Sequence, residues 1–308
     1  MEKELAGLAP ERDMFLTIGV FDGVHLGHRF LLSRLKELAR KKGLASGVVT
    51  FRHHPEEVLS PQNQLPFLTD LDQRIELLKN EGIDTVVVLS FTTQLAQLSA
   101  RQFLGLLKKH LRMRGLVIGP DFALGRNREG DTETLRRLGK EMGFSVTVVP
   151  PVIIDGEVVS STMIRKALAR GDMKRVQNLV GRPFSLHGHV VHGAGRGIRL
   201  GFPTANLDID RQQALPTDGV YASQAQINGK SYPSVTNIGQ RPTFGRNQRL
   251  VEVYLLDYNK KLYGRELTVD IIERLRGERK FGTPQALKEQ IARDVEQGRA
   301  ILKTRGEN

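Results

Sequence analysis

The sequence predicts an α/β domain built on a parallel sheet, followed by a small antiparallel β-barrel that closes on a single helix. Three observations carry this expectation. Up to about residue 153, short apolar runs alternate with segments of helical periodicity, as parallel strands covered by helices on both faces require. From about residue 183 the pattern changes to short β-rich runs separated by Gly, Pro and Asn, which suits antiparallel strands in a small barrel. The run "TPQALKEQIARDVEQGRAIL" then closes the chain as one long helical segment.

The elements follow in order. "MFLTIGVF" reads as a short apolar strand and "HRFLLSRLKELARKKG" as a helix stopped by Gly43. "LASGVVTF" is the next strand. "LTDLDQRIELLKNEG" reads as a helix with Thr69 as its N-cap and Gly82 as its stop. "IDTVVVLSF" has the character of a buried strand, and "SARQFLGLLKKHLRMRG" that of a helix capped by Ser99. "LVIG" is a strand, "DTETLRRLGKEMG" a helix starting at Asp131 or Thr132, and "FSVTVVPPVI" a strand. A helical stretch at residues 161–180 joins the halves, so the expected domains are 1–182 and 183–308. In the second half, "GVYASQAQING", "KSYPSVTNIG", "RLVEVYLLDYN" and "LYGRELTVDIIERL" read as strands, with hairpin turns at "ING" and around Asn259. Thr283 caps the last helix and Pro284 occupies its first position. No fixed-period repeat is present.

Composition narrows the function classes. The chain has 308 residues, long for one core, and no cysteine. Disulfides, Cys-based zinc sites and thiol nucleophiles are therefore excluded, and a reducing cytoplasm fits. No apolar run approaches the roughly 18 residues that span a bilayer, and the charged start "MEKELAGLAPERD" lacks a signal-peptide core. The reading is a soluble, unexported protein with no membrane partner. The formal net charge of +12 admits nucleic acid or an anionic substrate as partner. The basic residues are scattered, and the chain has no Trp and 6% aromatics. A basic binding module for nucleic acid needs clustered cations interleaved with stacking rings, so nucleic acid is not the primary partner expected.

The stretch "TIGVFDGVHLGHRFLL" places two imidazoles where a strand turns into a helix. A helix N-terminus offers unpaired N–H groups and a partial positive charge, and it favours anions. Gly19 and Gly23 let a phosphate approach the backbone. His25 and His28, three apart, share one face of the nascent helix and can donate to phosphoryl oxygens as charge develops there. Zinc is disfavoured: helical zinc pairs are spaced by four around a glutamate, and neither feature is present. In the second half, Gly193, Gly195, Gly197 and Gly201 form a Gly-rich loop with Arg196 and Arg199, ahead of Pro203-Thr204-Ala205-Asn206. Such a loop suits phosphate, and Thr and Asn oxygens suit Mg²⁺ beside a nucleotide. It is not a Walker A motif, and composition alone also permits a merely flexible loop. Glu252 alternates with Val251 and Val253 and so faces away from them. By itself it reads as an exposed strand carboxylate.

The motifs together are more specific. Gly19-x-Phe21-Asp22-Gly23-x-His25-x-Gly27-His28 resembles the nucleotidyltransferase signature containing His-x-Gly-His. "VSSTMIRKAL" resembles that superfamily's Ser-Ser-Thr-x-x-Arg segment, and "GPDFALGRNREGD" its Gly-x-(Asn/Asp)-Phe-x-Phe-Gly segment, with Leu124 in place of the second Phe. "GFPTANL", "DGVYA", "TNIGQRPTFG", "VEVYLLD", "LYGRELTV" and "ERLRGERKF" are similar to riboflavin kinase motifs. Nearly the whole chain thus resembles the bacterial bifunctional riboflavin kinase/FAD synthetase family.

The resemblance implies a Rossmann-like nucleotidyltransferase domain that adenylylates FMN with ATP, and a barrel that phosphorylates riboflavin. It implies that His25 and His28 stabilise the transition state and that the Gly19, Phe21, Asp22 and Gly23 turn receives ATP phosphates. Asp121 would position nucleotide or flavin, and Ser161, Thr162 and Arg165 would hold the departing pyrophosphate. In the barrel, Gly193, Gly197 and Gly201 would approach ATP, Thr204 and Asn206 would bind Mg²⁺, and Glu252 would be the general base. Riboflavin, FMN and ATP are the implied partners, flavins being substrate and product. The flavin ring should lie near "ERLRGERKF" and the start of the last helix. Whether the chain forms an oligomer is left open. The halves are expected to be separable, with a fragment from near Arg182 retaining kinase activity. Two departures stand out. Arg52-His53-His54-Pro55 replaces the usual acid-Pro-His-Pro run, and Tyr254 stands where His is common.

Overall fold

The computed structural model describes the chain apart from residues 1–3, 6, 8, 9, 61, 63, 64, 194, 241–248, 307 and 308. The Arg241–Gly245 part of the Thr236–Gly245 motif, and much of the N-terminal segment read above, lie outside the described residues. The chain divides into two compact units: Met1–Pro66 with Asp70–Ser160, and Phe67–Thr69 with Ser161–Asn308.

The first unit is a five-stranded sheet in the order β3-β2-β1-β4-β5. Its strands are β1 (Met14–Ile18), β2 (Ala45–Phe51), β3 (Thr85–Leu89), β4 (Met113–Ile118) and β5 (Ser145–Val148). All neighbouring pairs are parallel. The connections carry α1 (Leu26–Lys41), α2 (Pro55–Leu59), α3 (Leu71–Asn80), α4 (Thr93–Ala96), α5 (Ala100–Leu111) and α6 (Thr132–Met142). Alternation along the strands divides the core between the two faces. Leu16 and Ile18 join Phe103 and Leu107 in one cluster, while Phe15 joins Leu32, Leu35 and Val48 in the other.

Several element ends differ from the sequence reading, each for a local reason. β1 stops at Ile18, because Phe21, Gly23 and Val24 take positive φ of 54°, 78° and 36°. α5 ends at Leu111 rather than running to Gly115, because Arg112 enters the left-handed region at φ 50°. The strand expected over 144–153 ends at Val148, because Pro150 and Pro151 cannot donate to a ladder. Ile153–Ile154 instead forms β6, which pairs antiparallel with β7 (Glu157–Val158). Asp70, not Thr69, caps α3, accepting from Gln73 N–H at 2.8 Å.

The second unit begins with α7 (Ser161–Arg170) and α8 (Met173–Val180). A closed barrel follows, built from β8 (Phe184–Val191), β9 (Ala205–Ile209), β10 (Gly219–Ile227), β11 (Lys230–Gln240), β12 (Arg249–Leu255) and β13 (Glu266–Arg276). The barrel order is β10-β11-β12-β9-β8-β13, with every pair antiparallel. Closure removes the exposed edges of an open sheet. The β10–β11 hairpin turns on Asn228 and Gly229, both at positive φ (48° and 75°), as a two-residue type I′ turn needs. Helices α7 and α8, expected with the first half, pack in this unit. Val176, Leu179 and Val180 of α8 are buried, and α8 lies against β8 and β13. Helix α9 (Arg196–Leu200) lies between β8 and β9, and α10 (Pro284–Gly306) closes the unit. Thr283 Oγ1 caps α10, accepting from Ala286 N–H at 3.2 Å. Arg276 holds α10 through the buried Asp294 carboxylate at 2.8–3.0 Å.

Phe67–Thr69 reaches this unit from far back in the chain. Phe67 N–H donates to Gln212 O (2.7 Å), Ala214 N–H donates to Phe67 O (2.6 Å) and the Gln213 amide donates to Leu68 O (3.4 Å). Phe67, Leu68 and Thr69 are all buried.

Candidate active sites

In the first unit the connections from β1 and β4 leave toward opposite sides of the sheet. The crevice beyond the carboxyl ends of such a strand pair is where open parallel sheets bind ligands. The turn after β1 carries Gly19 to His28, and the turn after β4 carries Asp121.

His25 is the N-cap of α1, and its Nδ1 accepts from His28 N–H at 3.3 Å. That bond leaves the proton of a neutral His25 on Nε2. The His28 ring stacks on His25, with centroids 3.6 Å apart and planes at 17°. Phe21 packs at a tilt against His28 at 5.1 Å. Burial, with the His25 charge second, holds His28 well below the ordinary imidazole range. His28 is therefore neutral at pH 7, and its Nδ1 is buried without a hydrogen-bond partner. The pair thus presents at least one neutral imidazole at the start of α1.

The glycines between them have steric reasons. A Cβ on Gly27 would meet the His25 ring at 3.1 Å, and one on Gly19 would meet the Phe21 ring at 3.2 Å. Asp22 is buried at 2% exposure, and Gly23 turns the chain at positive φ. The Asp121 side chain is exposed, while its carbonyl accepts from Arg128 at 3.1 Å. His54, in the departing Arg52–Pro55 run, caps α2, where Glu57 completes a capping box.

Sequence reasoning missed Arg74. It is 1% exposed and donates to Val20 O at 3.0 Å and Phe51 O at 2.8 Å. Burial lowers its pKa, and the charges of Asp22 and Asp70 oppose that shift. The available signal was a charge on the apolar stripe of α3, between Leu71 and Leu78.

Ser161, Thr162 and Arg165 fall in the second compact unit, on the first turns of α7. Thr162 is exposed, while Ser161 and Arg165 are half-buried. In the barrel, register aligns the remaining residues. Asn206 on β9 lies opposite Glu252 on β12, which lies opposite Asn237 on β11. Directly paired residues share a face, so three polar side chains form one row across three strands. Asn237 Nδ2 donates to Glu252 Oε2 at 3.5 Å. Glu252 is half-buried rather than solvated. Asn237 was quoted within a motif but not singled out, because only the register places it beside Glu252.

Gly193 presses against this row, and Gly197 against the Phe202–Thr204 turn that leads to it. A Cβ on Gly193 would lie 2.1 Å from Asn206 Nδ2, and one on Gly197 would lie 2.3 Å from Phe202 O and 3.1 Å from Thr204 Oγ1. Gly201 ends α9 in the left-handed region at φ 86°. Tyr254, two residues from Glu252 on the same face, meets Phe202 edge-on at 5.5 Å. Its aromatic body thus supports the turn that leads to Thr204. Beside Thr204 lies a cavity of about 190 Å³, walled by Ile198, Pro203, Tyr258 and Tyr263 with Lys260 and Lys261. Thr204, Asn206 and Glu252 supply hard oxygen ligands of the kind Mg²⁺ takes. No group of three or more His, Cys, Asp or Glu residues able to hold a metal occurs among the described residues.

A doubly wound unit with two stacked histidines at a strand-to-helix turn, joined to a barrel with a carboxylate beside a Gly-rich turn, has the make-up of a two-domain nucleotide-dependent transferase. Comparison with known proteins gives the family. Residues 8–163 match the FAD synthetase family and residues 180–302 the riboflavin kinase family. The chain is 41% identical over 288 residues to the bifunctional riboflavin kinase/FMN adenylyltransferase of Escherichia coli K12, covering 93% of this chain and 92% of that one. It is 41% identical over 300 residues to the Pseudomonas fluorescens enzyme of the same name, covering 96% of each. A crystal structure described as a macrolide-efflux protein from Streptococcus pneumoniae superposes with a TM-score of 0.87 at 32% identity, over 94% of this chain and 95% of that one. That description belongs to the other protein. Among the described residues here, no helix is long and apolar enough to cross a membrane. The chain belongs to the bifunctional riboflavin kinase/FMN adenylyltransferase family, whose members make FMN from riboflavin and FAD from FMN.

Proposed function

We propose that each reaction runs on the residues assembled above, riboflavin phosphorylation in the barrel and FMN adenylylation at the histidine turn. The observation that carries the kinase assignment is the Asn206–Glu252–Asn237 row beside the Gly-rich turn. In this reading the riboflavin 5′-hydroxyl attacks the γ-phosphorus of ATP, its proton passes to Glu252, and ADP leaves. Thr204 and Asn206 would hold Mg²⁺, which would supply neutralisation of phosphate charge, and the backbone at Gly193, Gly197 and Gly201 lies along the nucleotide. The cavity beside Thr204 receives the base of ATP against Ile198 and the two tyrosines. Phosphoryl transfer needs positioning and charge neutralisation more than covalent help, and these residues supply both.

In the first unit, a phosphate oxygen of FMN attacks the α-phosphorus of a second ATP, FAD forms, and pyrophosphate leaves. His28 and His25 donate to the oxygens on which charge develops, and the Gly19–Gly23 turn with the N-terminus of α1 receives the phosphates. Asp121 positions nucleotide or flavin, and the family resemblance assigns Ser161, Thr162 and Arg165 to the pyrophosphate. A cytoplasmic location is part of the proposal, and ATP and flavin as substrates support it. The test incubates purified protein with riboflavin, ATP and Mg²⁺ and separates the flavins chromatographically. FMN followed by FAD is expected. Folded protein that makes neither product would overturn the reading.

A further inference from the structure

We propose that Arg74 is a positioning residue for adenylylation, fixing the histidine turn from beneath through the carbonyls of Val20 and Phe51. The inference rests on the assignment of FMN adenylylation to that turn. A guanidinium at 1% exposure is costly to bury unless its partners are well placed. Here its partners are the carbonyl of Phe51, which ends β2, and that of Val20, just past β1. A planar fork can hold two carbonyls at fixed separation, whereas an ammonium is a point charge on a flexible stem. Thr50 Oγ1 also donates to Val20 O, at 2.9 Å. Val20 is thus gripped twice, from α3 and from β2.

The residues that follow need such a grip. Phe21 and Val24 hold positive φ without being glycine, and strained backbone of this kind persists only when its surroundings over-determine it. Gly19 N–H is tied to Val49 O at 3.0 Å and Val24 N–H to Phe21 O at 3.1 Å, and the two bonds to Val20 O hold the stretch between those ties. His25 caps α1 directly after this turn, and His28 stacks on His25. Any shift at Val20 is therefore carried into both imidazoles. The charges of Asp22, buried inside the turn, and of Asp70 favour the Arg74 cation.

The test compares Arg74→Lys, Arg74→Met, Thr50→Val and the Thr50→Val/Arg74→Lys double variant with wild type in both reactions on the full-length protein. A displacement near 1 Å costs on the order of 10²-fold in rate. Arg74→Met should therefore lower kcat for FAD formation by about that factor, with KM for ATP moving less than about threefold. Arg74→Lys should recover part of the loss, because it restores charge but not the fork. Thr50→Val should lose about tenfold, and its effect should be non-additive with Arg74→Lys because both act on Val20. Riboflavin phosphorylation stays at the wild-type rate in all four, which shows that the barrel unit has folded, and an unchanged thermal unfolding transition of the first unit shows that it has folded too. A fall in both reactions together, or wild-type FAD formation by a folded Arg74→Met protein, overturns the proposal. If Arg74→Met does not fold, Thr50→Val and Arg74→Lys decide it: additive effects, or unchanged kcat in both, refute it. Wild-type protein that makes no FAD at all would instead refute the assignment of the first unit, and the proposal would fall with it.

Discussion

The Gly193→Ala substitution tests the kinase site through a single methyl group. Gly193 does not need glycine for its backbone angles, since its φ is not positive. It needs glycine for space. The added Cβ would sit 2.1 Å from Asn206 Nδ2, 2.5 Å from Cγ and 2.7 Å from Oδ1. Ordinary contacts begin near ~3.5 Å, so the Asn206 amide must retreat by ~1.4 Å or the loop must lift by as much. Asn206 is 8% exposed and lies in register with Glu252, so it has no open space to swing into. A misplacement of that size is worth on the order of 10²-fold in rate. The expected result is a kinase kcat lowered by about 10², with FMN adenylylation unchanged as the internal control. The assay is steady-state kinetics of both reactions, with flavins resolved chromatographically. A kinase kcat within about threefold of wild type would refute the reasoning. A second comparison isolates the cause: in an Asn206→Ala background the methyl group no longer meets the amide, so Gly193→Ala should add little. A further 10²-fold loss there would place the damage in the loop backbone instead.

Three more outcomes are expected. Glu252→Gln keeps the shape of the polar row but removes its basicity, so kinase turnover should fall ~10²–10⁴-fold while calorimetric ATP affinity and FAD formation from FMN hold; loss of both reactions would point to folding instead. Because burial holds the native His28 pKa well below its ordinary 6.5, the unfolded chain binds the extra proton as pH drops below that value. Stability therefore rises with pH across this window and falls in acid, by up to ~1.4 kcal/mol per pH unit, and thermal melts between about pH 7 and pH 5 should show a shallower slope for His28→Phe than for wild type. A fragment beginning at Arg182 lacks the Phe67–Thr69 strap together with α7 and α8, and one beginning at Ser161 lacks only the strap. Urea unfolding should place the Ser161 fragment between the full chain and a poorly folded Arg182 fragment; equal stability of all three would make both segments dispensable to the barrel.

The strap adds contacts to the barrel unit that a boundary at Arg182 leaves out. Nothing in "FLTDLDQRIELL" marks Phe67 as a partner of Gln213, because the pairing spans well over a hundred residues and hydrophobic periodicity reports only local neighbours. α7 and α8 look in sequence like a linker between domains, and only their packing places them in the barrel unit.

What the sequence determined by itself was everything that repeats along the chain or depends on side-chain chemistry. Strand and helix periods announced the parallel sheet and the barrel. The histidine turn and the Gly-rich loop stood out because phosphate chemistry restricts which residues can serve there. What only the tertiary structure decided was which distant groups meet. Register alone put Asn237 beside Glu252, and burial alone turned a charge on a helical stripe, Arg74, into a tie beneath the histidine turn. The physical reason is common to both: a hydrogen bond across strands, or a cation under a loop, is set by the three-dimensional closure of the chain, and closure leaves no periodic trace in the sequence.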